Sequence, residues 1–129
     1  MNTFLRILIG FFIIAHGLVH PLLAVIPDDK VEDAPAGSMW TKSWLFGEGT
    51  AAKTLLYVFT GIAAFLLLLA GLSFIGFIVP QAWWHTLWII GAGVSSLVLV
   101  VFWHPRFYWG LIINAVILGL ALFTSFSPE

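Results

Sequence analysis

Hydrophobic positions along this chain come in long, nearly unbroken runs rather than in stripes. Four runs, 4–26, 54–79, 83–103 and 107–126, are separated by breakers. Pro27 opens a polar stretch, Val79-Pro80-Gln81 divides the second run from the third, and His104-Pro105-Arg106 divides the third from the fourth. Proline disfavours helix at the residue before it, so each breaker marks a boundary. Runs of this length match the roughly 20 apolar residues that cross a hydrocarbon core of about 30 Å as a helix. They lack the period-two alternation of a membrane barrel strand. The pattern predicts an all-α integral membrane four-helix bundle forming one transmembrane domain over 1–129. Short connections make the last three spans antiparallel neighbours.

Composition sharpens the placement. Hydrophobic residues are 61% of the chain and charged ones 9%, where a soluble domain carries about 25% charged. Eight of the eleven charges lie between Asp28 and Lys53, and none occurs from Thr54 through Pro105. The lipid bilayer is therefore the first partner. The first run exceeds the 7–15 residues or so of a signal-peptide core, is preceded by no basic cluster and is followed by no small-x-small cleavage site, so it reads as the first span. Without cysteine, disulfides, iron–sulfur clusters and thiolate zinc sites are excluded. A net charge of -1 offers no basic patch for nucleic acid. Lys30, Lys42, Lys53 and Arg106 share one membrane side against Arg6 on the other. That asymmetry favours a cytoplasmic first loop, set against the five acids the loop also carries.

The polar loop 27–53 is the main extramembrane element. Its second half, SMWTKSWLFG, predicts either a short interfacial helix or an aromatic loop belted to the headgroups. In the helical case Ser38 is N-cap, Gly47 follows the C-cap, and Trp40 and Trp44 share a face. Trp83, Trp84, Trp103, Tyr108 and Trp109 fall at span ends, where aromatic anchors sit. Gly91 and Ser95 on the third span, and Ala115 and Gly119 on the fourth, recur four apart and mark close helix approach.

Candidate chemistry centres on the first span. His16 and His20 lie at i and i+4 on one helix face, just before Pro21. Proline removes a backbone donor and frees the Gly17 carbonyl, for which His20 is a candidate donor. At a rise of about 1.5 Å per residue, His20 lies roughly 9 Å below the loop-side face, His16 about 15 Å and Asn114 about 10 Å. Tyr57 and His104 share that half of the bilayer. Ionisable residues in a span usually face the bundle interior and pair there. Four readings follow: a metal site from His16, His20 and His104; b-type haem between His20 and His104; a quinone or other lipid-soluble ligand held by His20, Tyr57 or Asn114; or a purely structural network. No nucleophile with a base, paired catalytic carboxylates or phosphate-cradling loop is present.

The stretch LRILIGFFIIAHGLVH, with Arg6, Gly10, His16 and Gly17, resembles the opening helix of DoxX-like membrane proteins. It is more similar still to a group of small bacterial and archaeal four-helix proteins with a His-Gly-x-x-His first span and a Ser-Trp in the polar loop, matched here by Ser43-Trp44. The resemblance covers the four-span layout and roughly the first 50 residues. It implies a prokaryotic plasma membrane. Some DoxX-like proteins are associated with quinone reduction or membrane redox partners, which favours a quinone-like ligand. The leading expectation is an accessory or assembly subunit of a membrane complex without catalysis of its own, associating with other subunits or itself. The alternatives are a redox-linked ligand site and a small channel or transporter.

Overall fold

A computed structural model describes residues 1–25, 42–123 and 126–128. Four helices carry the fold: α1 (Thr3–Val25), α2 (Thr50–Ile75), α3 (Trp84–Val101) and α4 (Tyr108–Phe123). Single 3-10 turns, Gln81–Trp83 and Pro105–Phe107, lead into α3 and α4. Three of the four are long and apolar enough to cross a membrane. Helix α4 has 16 residues, shorter than the run 107–126 predicts, and at about 1.5 Å per residue it spans roughly 24 Å.

Each helix ends for a local reason. Asn2 caps α1, its Oδ1 accepting the Leu5 N–H at 2.8 Å. Helix α2 starts at Thr50, one turn before the apolar run, and stops at Ile75, four residues before the run does. Gly76 ends it, not Pro80. Its φ of 78° lets the Gly76 and Phe77 N–H groups turn back onto the Leu72 carbonyl, each at 3.0 Å. Ser73 Oγ then donates to the Pro80 carbonyl at 2.6 Å and fastens the connection.

The predicted interfacial segment is a different element in its described part, while Ser38, Trp40 and Thr41 lie outside the described residues. Lys42–Ser43 (β1) pairs antiparallel with Gly47–Glu48 (β2) in a tight hairpin. Gly47, at φ 70°, serves the hairpin rather than a helix terminus. The hairpin caps α3. Val101 faces Pro105 four residues on, which has no N–H, and Val100 faces a residue outside the helix, so both carbonyls lack helical partners. Ser43 Oγ donates to the Val101 carbonyl at 2.8 Å and Trp44 Nε1 to the Val100 carbonyl at 2.7 Å.

The helices pack in chain order, α1 on α2, α2 on α3 and α3 on α4. The tightest seam is α1 on α2. A Cβ built on Gly71 would sit 2.5 Å from the Gly10 carbonyl oxygen, and one on Gly17 would sit 2.7 Å from Leu67 Cβ. These glycines let two backbones touch. On α3, Gly91 packs on Leu67 and Ser95 is buried as expected, whereas Ala115 and Gly119 on α4 do not make the predicted seam: Ala115 is exposed and Gly119 meets open space. Trp84 also departs from expectation. It lies half-buried, edge-on to Phe74 and Trp88, inside an aromatic cluster completed by Phe126, which stacks on Phe74 at 5.7 Å. Trp83, Trp103, Tyr108 and Trp109 remain outward-facing.

Two apolar clusters fill the bundle. One gathers Ile13, Leu67, Phe74, Trp88 and Ile117; the other gathers Leu56, Val98, Leu99, Phe102 and Phe107. The buried polar residues His16, His20, Thr60, Ser95 and Asn114 form a layer between them along the helices. Gly71→Val will force α1 off α2 and lower stability in detergent by about 1–3 kcal/mol. Gly61→Ala on the same helix, where a Cβ meets nothing, will be neutral or stabilising by about 0.5–1 kcal/mol. Thermal unfolding of the two variants compares them directly.

Candidate functional site

Four residues of the polar layer form a hydrogen-bonded quartet from three helices, while Thr60 bonds back to the Leu56 carbonyl of its own helix. His16 Nε2 lies 2.8 Å from Asn114 Oδ1, Asn114 Nδ2 donates to Ser95 Oγ at 2.7 Å, and Ser95 Oγ lies 2.7 Å from His20 Nε2. The chain closes on α1, where His20 Nδ1 lies 3.0 Å from the His16 carbonyl oxygen. The two rings meet edge to face, centroids 5.3 Å apart. Ser95 and Asn114 have no exposure at all, and His16, at 9%, is the most open of the four.

The i, i+4 spacing and Pro21 explain the α1 half. Helix α1 continues through Pro21, which cannot donate to the Gly17 carbonyl. The His16 carbonyl, one residue earlier, is the acceptor at His20 Nδ1.

Elementary valence sets the direction of every bond in the quartet. A backbone carbonyl only accepts, so His20 carries its proton on Nδ1 and presents a lone pair at Nε2. Ser95 must then donate to His20 Nε2, leaving its oxygen to accept from Asn114 Nδ2. Asn114 Oδ1 in turn accepts from His16, which carries its proton on Nε2. Reversing the Asn114 amide would leave a donor short, so the observed orientation is the one that satisfies all four side chains. One ring nitrogen is left over: His16 Nδ1, a lone pair the quartet does not use.

A cavity of about 370 Å³ adjoins the quartet between α1 and α4. Its floor is His16, His20, Leu99 and Phe107, and its mouth is formed by the exposed Phe12, Val19 and Trp109. Phe12 and Ile113 also line a second cavity of about 290 Å³, walled by aliphatic and aromatic side chains that include Ile9, Val116 and Trp88. The two run along the seam where α1 and α4 face each other without close backbone packing. Gly110, whose Cβ would sit 2.8 Å from Leu99 Cδ1, brings α4 onto α3 at the cavity's edge.

Of the five residues the sequence singled out, the structure brings together three: His16, His20 and Asn114. Tyr57 lies elsewhere, exposed on α2 with the Lys53 ammonium 5.8 Å from its ring. His104 is half-buried in the connection after α3, its ring against Phe107 at 5.6 Å, and lines neither cavity. The metal reading does not fit these positions. Among the described residues no three His, Cys, Asp or Glu side chains cluster as a metal site, and three of the four ring nitrogens of His16 and His20 are already engaged. The haem reading does not fit either, because both buried imidazoles project from one helix instead of facing each other across a gap. The residue missed is Ser95. Counting depth from the end of the third span would have put it level with His16 and Asn114, but as a small residue it reads first as a packing position.

Compared with protein-family models, curated proteins and solved structures, the chain matches none.

Nitrogen NMR of the imidazoles will find His20 protonated on Nδ1 and His16 on Nε2. Ser95→Ala will strip both His20 Nε2 and Asn114 Nδ2 of their partner, costing about 1–2 kcal/mol in detergent unfolding. Equal tautomer populations at either ring would contradict these bond directions.

Proposed function

We propose that this protein is a multi-pass protein of a prokaryotic plasma membrane that holds one lipid-soluble molecule, a quinone-like compound or another lipid with a small polar headgroup, in the crevice between α1 and α4. One observation carries the reading: a cavity of about 370 Å³, walled by apolar side chains around two histidine rings, adjoins a second apolar cavity that shares Phe12 and Ile113 with it. Ligand sites typically measure about 300–1,000 Å³ and combine apolar walls with a few placed polar groups. The space is far too small for a partner helix, which needs roughly 30 Å of length to cross the core. A headgroup at the histidines with its tail along Phe12, Ile113 and Val116 fits both halves. The resemblance of the first span to DoxX-like proteins points the same way.

Organic extraction of protein purified gently into nanodiscs, followed by mass spectrometry, will release one compound in near-stoichiometric amount. Ala15→Phe, on the cavity wall, will lose it while remaining folded. No compound, or the same yield from the variant, would sink the reading.

A second reading, an accessory or assembly subunit, is favoured by α1. Only 22% of its most apolar window is buried, against 44% and 39% in the other two candidate spans, so its outer flank of Phe4, Leu8, Phe11 and Leu18 is free for another membrane helix. A photocrosslinker at Phe11 will then join a single protein partner in native membranes. Crosslinks to lipid alone would remove this reading.

A further inference from the structure

We propose that the molecule held in the α1–α4 crevice is a hydroxyl-headed lipid, whose O–H donates to Nδ1 of His16. This rests on the ligand-binding reading above and narrows it to a chemical class.

The bond directions lead to this class. His20 Nδ1 faces a backbone carbonyl at 3.0 Å, and that one contact propagates through Ser95 and Asn114 to fix the proton of His16 on Nε2. The remaining ring nitrogen of His16 is therefore an acceptor. His16 is the member of the quartet with residual exposure, and it forms part of the cavity wall. The other histidine in that wall, His20, has both nitrogens engaged. At the histidine floor the cavity thus offers an incoming headgroup one side-chain acceptor and no free donor, the Trp109 indole standing at the exposed mouth. An acceptor left bare in an apolar surround carries an uncompensated desolvation penalty. A hydroxyl relieves that cost. A headgroup bearing only carbonyl or ether oxygens would set lone pair against lone pair.

Hydroxyl headgroups come from two sources with this chemistry: aliphatic or isoprenoid alcohols, and phenolic reduced quinones. The shared feature is the donor, and a tail long enough to follow the second cavity past Phe12 and Ile113.

The test uses the wild-type protein in nanodiscs, so it does not depend on a variant that folds. A diazirine-bearing hexadecanol is photoactivated and its attachment sites are mapped, alongside its methyl ether. Labelling is expected on α1 and α4 around Phe12, Ala15 and Ile113, with the ether about fivefold weaker. Decylhydroquinone is expected to displace the alcohol and decylbenzoquinone to fail. Whichever of hexadecanol and decylhydroquinone displaces at lower concentration identifies the source. On binding, the NMR signal of His16 Nδ1 will move toward that of a hydrogen-bonded acceptor. Equal labelling by the ether, or equal displacement by decylbenzoquinone, overturns the donor inference and leaves the crevice reading standing. Failure of every probe to label the crevice overturns both.

Discussion

In hydrocarbon a polar group has no water to turn to, so every donor and acceptor must find its partner within the protein or within a molecule the protein holds. Much of this structure is a consequence. The last carbonyls of α3 would be stranded by the Pro105 connection, and a hairpin from the first loop brings Ser43 and Trp44 to them. The end of α2 is closed by Gly76 and fastened by Ser73. At the far end of α4, the Ala121 carbonyl pairs with His85 Nε2 at 2.8 Å. The imidazoles of α1 turn inward for the same reason that the backbone does.

The quartet does more than satisfy its members. It sits between two apolar clusters that, taken alone, would tolerate sliding of one helix along another. Slipping α4 by one turn, about 5.4 Å, would carry Asn114 away from both His16 and Ser95. Hydrogen bonds across a dry interior thus set the register where small residues set only the distance. They also set a gap. Helices α1 and α4 are joined by the His16–Asn114 bond but not by close backbone packing, and beside that bond the seam stays open. A pair of histidines that the sequence offers as either ligands or packing devices is a packing device whose geometry leaves room for a ligand.

The four helices were legible from hydropathy because an apolar run of membrane length has few alternatives. Their ends were less so. The prolines at 80 and 105 stand out in the sequence, yet Gly76 stops α2 first, and a glycine inside an apolar run carries no mark of the conformation it will adopt. The hairpin was unreadable for a related reason. Ser43-Trp44 has no local strand signal and folds as it does because α3 offers two unpaired carbonyls far along the chain. Within the site, depth counting brought His16, His20 and Asn114 together because depth follows directly from helical rise. Depth says nothing of rotation, and rotation excluded Tyr57, which shares the leaflet but faces away. His104 failed on depth, since α3 ends at Val101 and leaves it beyond the helix. Ser95 had the right depth and rotation, but lacks the chemical distinctiveness that makes a residue stand out in a sequence.

Pro21 joins these strands. By withdrawing a backbone N–H it leaves the Gly17 carbonyl without a helical donor, while the His16 carbonyl, one turn before His20, lies 3.0 Å from His20 Nδ1 and holds the proton there. The polarity of the chain through Ser95 and Asn114 follows from that proton, and with it the acceptor character of the last free nitrogen on His16. One backbone carbonyl of α1 therefore sets the acceptor that the proposed headgroup would meet, through four side chains that never need to carry a charge. Such a relay suits an interior where an ion is expensive and a directed dipole is not.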